Sequence, residues 1–308
     1  MLDARCSMLG VWNSGKDRRF VNRRFRLPFK FVISPIRNSA MSLFHCHFSS
    51  AALRQQVQVN VILPQRPAAD RPAGGYKTLY LLHGLSDDHN HWIRQTSIER
   101  YAAEYPDLAI AMPAVHRSFY QDMRLGMGYW TYVSEELPAL LRAAFPLSAA
   151  REDNFAAGLS MGGYGAFQLG LRRPGNYAAV ASLSGALDLP RRYKESLAGT
   201  SVLTAPECAA LFDPATGVPA ESDLFALLEK ARADGTELPR LYQACGTEDF
   251  LWEDNVNFRD HAQKLAVPLT WEQGPGAHNW AYWDTMIQKV LAWLNVRDAP
   301  PVKGAYPL

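Results

Sequence analysis

A handful of short, predominantly apolar runs recur along this chain: YKTLYLLHG (76–84), LAIAMPAV (108–115), DNFAAG (153–158), YAAVASLSG (177–185) and PRLYQACG (239–246). Each has strand length, and none shows the strict polar–apolar alternation of a half-exposed strand. Between them lie stretches with helical spacing near 92–104, 129–145 (with Pro138 inside it) and 161–173, the last stopped by Pro174-Gly175. Strands buried on both faces and alternating with amphipathic helices predict an α/β architecture, a mostly parallel, doubly wound sheet covered on either side. VQVNVILP (57–64) alternates and reads as a further strand. PLTWEQGPG (268–276) reads as the last one, before a closing helix near 284–296. Residues 187–236 break the rhythm: turn-rich, with a helix in DLFALLEKARA, they read as an insertion over the sheet edge, a helical cap.

At 308 residues, 48% of them hydrophobic, the chain can bury a large core. It contains no run of 18 apolar residues, so no membrane span is expected. The net charge of +2 is unevenly spread, because residues 1–40 carry nine Lys/Arg against Asp3 and Asp17. The body is therefore mildly acidic, which argues against a nucleic-acid partner there. The leader 1–40 reads as a basic, disordered end, with translation beginning at Met41 as the plainer account and an organelle presequence or a basic arm as alternatives. The expected division is leader 1–40, folded domain 41–300 and tail 301–308. Cys6, Cys46, Cys208 and Cys245 lie far apart and read as unpaired thiols of a reducing, cytoplasmic compartment.

One segment is chemically pointed. Gly158-Leu159-Ser160-Met161-Gly162 is a G-x-S-x-G sequence between a predicted strand and a predicted helix. Reversing a strand into a helix within one residue strains that residue, and small neighbours two positions away relieve the clashes. The turning hydroxyl then projects from the sheet at the positive end of the new helix, where an anionic intermediate is favoured.

A serine needs a base within hydrogen-bond reach and a group to orient that base. Of eight histidines, His45 and His47 precede the expected core, His89, His91 and His261 lie in polar or helical settings, and His116 follows a strand. His278 sits in GPGAHNWAYW, a glycine-rich loop after the final strand, at the carboxyl edge that Ser160 also occupies. The orienting acid should fall between them in the chain. Asp249 in ACGTEDFLW follows a strand directly; Glu248 is its immediate rival and Asp254 a more distant one.

An oxyanion hole requires two converging backbone N–H groups. Met161 supplies one in this reading, and Leu85 in HGLSDDHNHW the other, with His83 bonding that loop. Trp92, Trp130, Trp252 and Trp280 are candidate walls of a substrate pocket, with core filling as the alternative for each. No metal site is expected, because DDHNH (87–91) has no matching third cluster.

With these residues in place, the chain resembles the α/β-hydrolase esterase family that contains tributyrin esterases, esterase D and S-formylglutathione hydrolases. LLHGLSDDHNHW, SFYQDM, EELPALL, GLSMGGYGAF, CGTEDFLWEDNVNF and GAHNWAYWD carry the likeness, from about Ser42 to about Val296. The resemblance implies a triad of Ser160, Asp249 and His278, an oxyanion hole at Leu85 and Met161, and a domain that starts near Met41. Tyr164 stands where the S-formylglutathione hydrolase branch tends to carry histidine, so the likeness leans toward tributyrin esterases. The expected activity is cofactor-free hydrolysis of short-chain carboxylic esters, with an S-formylglutathione thioesterase or an acyltransferase to a carbohydrate or lipid as alternatives. The expected partner is a small-molecule ester or thioester, without nucleic acid or membrane, from a monomer or a homo-oligomer.

Overall fold

The computed structural model describes residues 40–296; the leader apart from Ala40, Cys6 and the tail 301–308 lie outside that range. Eight strands form one sheet: β1 (Met41–Ser50), β2 (Gln55–Pro64), β3 (Lys77–Leu82), β4 (Leu108–Pro113), β5 (Asn154–Leu159), β6 (Ala179–Leu183), β7 (Arg240–Gly246) and β8 (Leu269–Gly274). They lie in the order β1-β2-β4-β3-β5-β6-β7-β8. β1 and β2 form an antiparallel hairpin, β2 runs antiparallel to β4, and β4 through β8 are parallel.

β1 is absent from the sequence-based expectation. MSLFHCHFSS holds no β-branched residue, and most of it is only partly buried. Its stability comes from a ten-residue ladder with β2, Met41 opposite Pro64 through Ser50 opposite Gln55, which composition does not signal.

The helices follow in chain order: α1 (His91–Gln95), α2 (Ile98–Ala102), α3 (Tyr129–Thr131), α4 (Leu137–Ala144), α5 (Met161–Arg172), α6 (Leu189–Leu197), α7 (Ala205–Leu211), α8 (Leu224–Ala233), α9 (Trp252–Lys264) and α10 (Trp280–Leu294). The single helix expected near 92–104 is two. Thr96 is extended and its Oγ1 donates to Trp92 O while accepting the Ile98 N–H at 3.1 Å, so a side chain replaces the backbone ladder there. Between α3 and α4 the chain widens to a π-helical turn over Tyr132–Glu136. Pro138 has no N–H to return to the preceding turn, which accounts for the slack just upstream.

Strand alternation sorts the core into two layers. Tyr80, Leu82 and Ala156 face α4, α5 and α9 together with Phe167 and Phe258. Leu79, Leu81, Phe155 and Ala157 face α2 and α10 together with Ile98, Ile287 and Leu291. This is the α/β-hydrolase fold, with every connection between parallel strands crossing one face or the other.

The segment between β6 and β7 is the cap. Its α8 packs on α5 and α9, with Phe225 edge-on to Phe258 at 5.5 Å, so it covers a helical layer rather than the sheet edge. Buried polar groups fasten it down. Tyr164 Oη donates to Ser222 O at 2.6 Å, and Ser222 Oγ donates to Gln121 Oε1 at 2.7 Å. No helix among the described residues is long and apolar enough to cross a membrane.

Candidate active site

β5 is buried along its whole length and stops at Leu159. Ser160 then takes φ +54° and ψ −119°, a conformation that an L-residue adopts only when its surroundings impose it. Three backbone bonds do so: the Ser160 N–H donates to Leu183 O at 2.9 Å, and its carbonyl accepts the N–H groups of Tyr164 and Ala186, both at 3.1 Å. The flanking glycines are sterically compulsory. A Cβ on Gly158 would lie 2.4 Å from the Gly162 carbonyl, and one on Gly162 would lie 2.5 Å from Leu82 O. α5 starts immediately afterwards, so the hydroxyl sits at a helix N-terminus.

Two further carboxyl edges reach this point. Asp249 follows β7 and is 4% exposed; His278 lies between β8 and α10, whose Asn279 cap accepts the Tyr282 N–H at 3.1 Å. His278 Nδ1 lies 3.0 and 2.9 Å from the two Asp249 oxygens, and Nε2 lies 3.0 Å from Ser160 Oγ. A carboxylate only accepts, so Nδ1 carries the proton and Nε2 is left to accept from the serine hydroxyl. Asp249 Oδ1 also accepts the Leu251 N–H at 2.8 Å, which fixes the carboxylate plane.

The two rival acids are occupied elsewhere. Glu248 points to solvent, and its carboxylate accepts the Gly276 N–H, a bond that holds it below the usual carboxylate range. Asp254 is fully buried between Arg191 and Arg192 of the cap.

The loop after β3 is pinned by His83. Its Nδ1 donates to Gly84 O at 2.7 Å and its Nε2 accepts the Val115 N–H at 3.0 Å, a pattern open only to neutral imidazole. Burial pushes its pKa down to about 4, consistent with that state. Gly84 to Asp87 then form a turn closed by Asp87 N–H to Gly84 O at 3.2 Å, while Asp87 Oδ2 accepts the Gly84 N–H at 3.2 Å. In such a turn the N–H of the second residue, here Leu85, is not used by the closing bond. The Met161 N–H opens α5, where no helical carbonyl precedes it.

A family model described as "Putative esterase" matches residues 50–294. The chain belongs to that esterase family. It is an ester-hydrolysing enzyme. An acetyl esterase of Caldicellulosiruptor saccharolyticus is 28% identical over 267 residues, covering 83% of this chain and 98% of that protein. Among solved structures, the Staphylococcus aureus fluorophosphonate-binding serine hydrolase FphF is 35% identical with a TM-score of 0.75, covering 84% of this chain and 99% of its own. The S-formylglutathione hydrolase FrmB of the same organism is 35% identical with a TM-score of 0.74, covering 83% and 99%.

The four tryptophans do not form one wall in this esterase. Trp92 is a core residue, 1% exposed, whose indole N–H donates to Leu82 O at 3.0 Å. Trp130 lies under the Arg172 guanidinium at 3.9 Å. Arg172 ends α5, about 18 Å along the axis from Ser160, so Trp92 and Trp130 are read as structural residues. Trp252 faces Trp271 of the edge strand, centroids 5.9 Å apart. Trp280 meets Trp283 edge-on at 5.3 Å and also packs against His91 and Trp92.

The aromatics against the imidazole are two that sequence reasoning missed. Phe250 lies 4.4 Å from the His278 ring, and Trp283 meets it edge-on at 4.9 Å, its indole N–H held by Ser184 Oγ at 3.1 Å. A signal existed for one of them: Phe250 directly follows Asp249, so any strand-end loop that presents the carboxylate also presents this ring nearby.

Proposed function

We propose that this esterase is a cofactor-free serine carboxylesterase that cleaves short-chain acyl esters through an acyl-enzyme on Ser160, with residues 41–300 as its catalytic domain. The observation that carries the reading is the unbroken contact sequence from Asp249 through His278 to Ser160, each step at hydrogen-bond length.

In this mechanism Ser160 Oγ bonds to the ester carbonyl carbon as its proton passes to His278 Nε2. The N–H groups of Leu85 and Met161 hold the resulting oxyanion, a contribution of about 3 kcal/mol for each donor. Asp249 keeps the imidazole in its tautomer and stabilises the imidazolium. Collapse breaks the bond from carbon to the alcohol oxygen, which takes the proton from Nε2 and leaves. Water then repeats the sequence on the acyl-enzyme and releases the acid. The description of the Caldicellulosiruptor relative as an acetyl esterase supports a small acyl group.

Hydrolysis of S-formylglutathione is the second reading, favoured by the likeness to FrmB. A comparison of kcat/KM on that thioester and on butyrate esters separates the two, with the larger value expected on the esters.

The deciding experiment is the Ser160→Ala variant, assayed with p-nitrophenyl acetate and with a fluorophosphonate label. Turnover should fall by at least about a thousandfold and labelling should vanish. Hydrolysis at the parental rate would remove Ser160 from the mechanism.

A further inference from the structure

The mechanism fixes which part of a substrate meets which part of the site. The departing alcohol oxygen must take its proton from His278 Nε2, so the alcohol moiety lies beside the imidazole rather than beside the oxyanion donors. The side chains held against His278 by hydrogen bond or ring contact are Ser160, Asp249, Phe250 and Trp283, none of them cationic. Trp283 is buried at 5% exposure, whereas Phe250 is 57% exposed. A large apolar ring left in water beside a reacting group gains by being covered, and a flat aromatic partner covers it best.

Phe250 is also held in place. Its carbonyl accepts from Arg192 Nη2 at 3.3 Å, and Arg192 Nε in turn donates to the buried Asp254 at 2.8 Å. Cap helix α6 thus fixes the backbone that carries the ring, while Leu251 beyond it is buried at 3% exposure. Besides Asp249 itself, the acids here are Glu248, two residues before Phe250, and Asp87, which interacts electrostatically with His278. Both disfavour an anionic leaving group.

We propose that Phe250 is the floor of a leaving-group subsite that selects esters of apolar, ring-bearing alcohols over those of polar alcohols and over the thioester of an anionic peptide thiol such as glutathione. The proposal rests on the acyl-enzyme reading above, because that reading places the alcohol at His278.

The test holds the acyl group constant and varies the alcohol. Benzyl butyrate and 2-methoxyethyl butyrate form the same butyryl-enzyme from alcohols of similar acidity, so any difference in kcat/KM arises on the alcohol side. The parent enzyme should prefer the benzyl ester by about tenfold. Phe250→Ala should lose about that factor on benzyl butyrate and less than about twofold on the methoxyethyl ester, with Phe250→Tyr retaining the preference. Equal losses on both esters would mean that the ring merely steadies His278, and would overturn the subsite. An unchanged ratio would overturn it as well. Ser160→Ala, run in parallel, separates the two levels: parental turnover in that variant overturns the acyl-enzyme reading and the subsite with it. An inactive Ser160→Ala beside an unchanged ratio in Phe250→Ala overturns the subsite alone.

Discussion

Glu248 and Gly276 are bound to each other twice: the Glu248 N–H donates to Gly276 O at 3.0 Å, and the Glu248 carboxylate accepts the Gly276 N–H. This pair of hydrogen bonds joins the loop that carries Asp249 to the loop that carries His278. The adjacent acids therefore divide the work, one bracing the two loops from the solvent side and the other meeting the imidazole from within.

That division sets unequal costs for removing them. Asp249→Asn should lower kcat on p-nitrophenyl butyrate by about ten-thousandfold, since the wrong imidazole tautomer is then favoured. Glu248→Ala, which leaves the Asp249–His278 contact in place, should cost less than about tenfold. Steady-state kinetics on the two variants checks the assignment, and the reverse order would exchange their roles.

Gly162→Ala should damage the fold before it damages the chemistry. Its methyl group would lie 2.5 Å from Leu82 O and 2.7 Å from His83 O, both backbone atoms that cannot swing aside. A loss of about 3 kcal/mol is expected, seen as a fall in Tm of roughly 6–12 °C in a thermal melt.

His83 gives the protein an acid-side weakness. The group resists protonation when folded, with a pKa of about 4 against an ordinary 6.5, so the unfolded chain binds the extra proton first. Its stabilising effect is complete above pH 6.5 and drains away as the pH falls toward 4, by about 3 kcal/mol in total. Urea unfolding of the parent at pH 7 and pH 4.5 should show that slope. His83→Gln, less stable at pH 7, should show a flatter one.

Asp254→Asn should destabilise by about 3 kcal/mol, the lower end of the range for breaking a buried pair, because the Arg191 and Arg192 heads keep some contact with water. Calorimetry should record the loss, while activity measured well below the melt is largely kept.

The sequence by itself determined the parallel sheet, the helices on both faces and the turn at Ser160. Those features are local: an apolar run of strand length, a helical period and a clash between glycines two positions from a bend are all written within a few neighbouring residues. His278 was legible for a related reason, since a loop after the last strand of a doubly wound sheet opens at the same edge as the serine turn. The choice between Glu248 and Asp249 was not, because adjacent side chains in a loop point in directions that only the partner loop decides. The hairpin strand β1 and the place of Trp283 against His278 were hidden for the same reason. Met41–Ser50 is a strand because β2 lies beside it, and Phe250 and Trp283 flank the imidazole because α9, α10 and the cap converge there. Contacts between residues far apart in the chain are set by packing, and packing has no local signature.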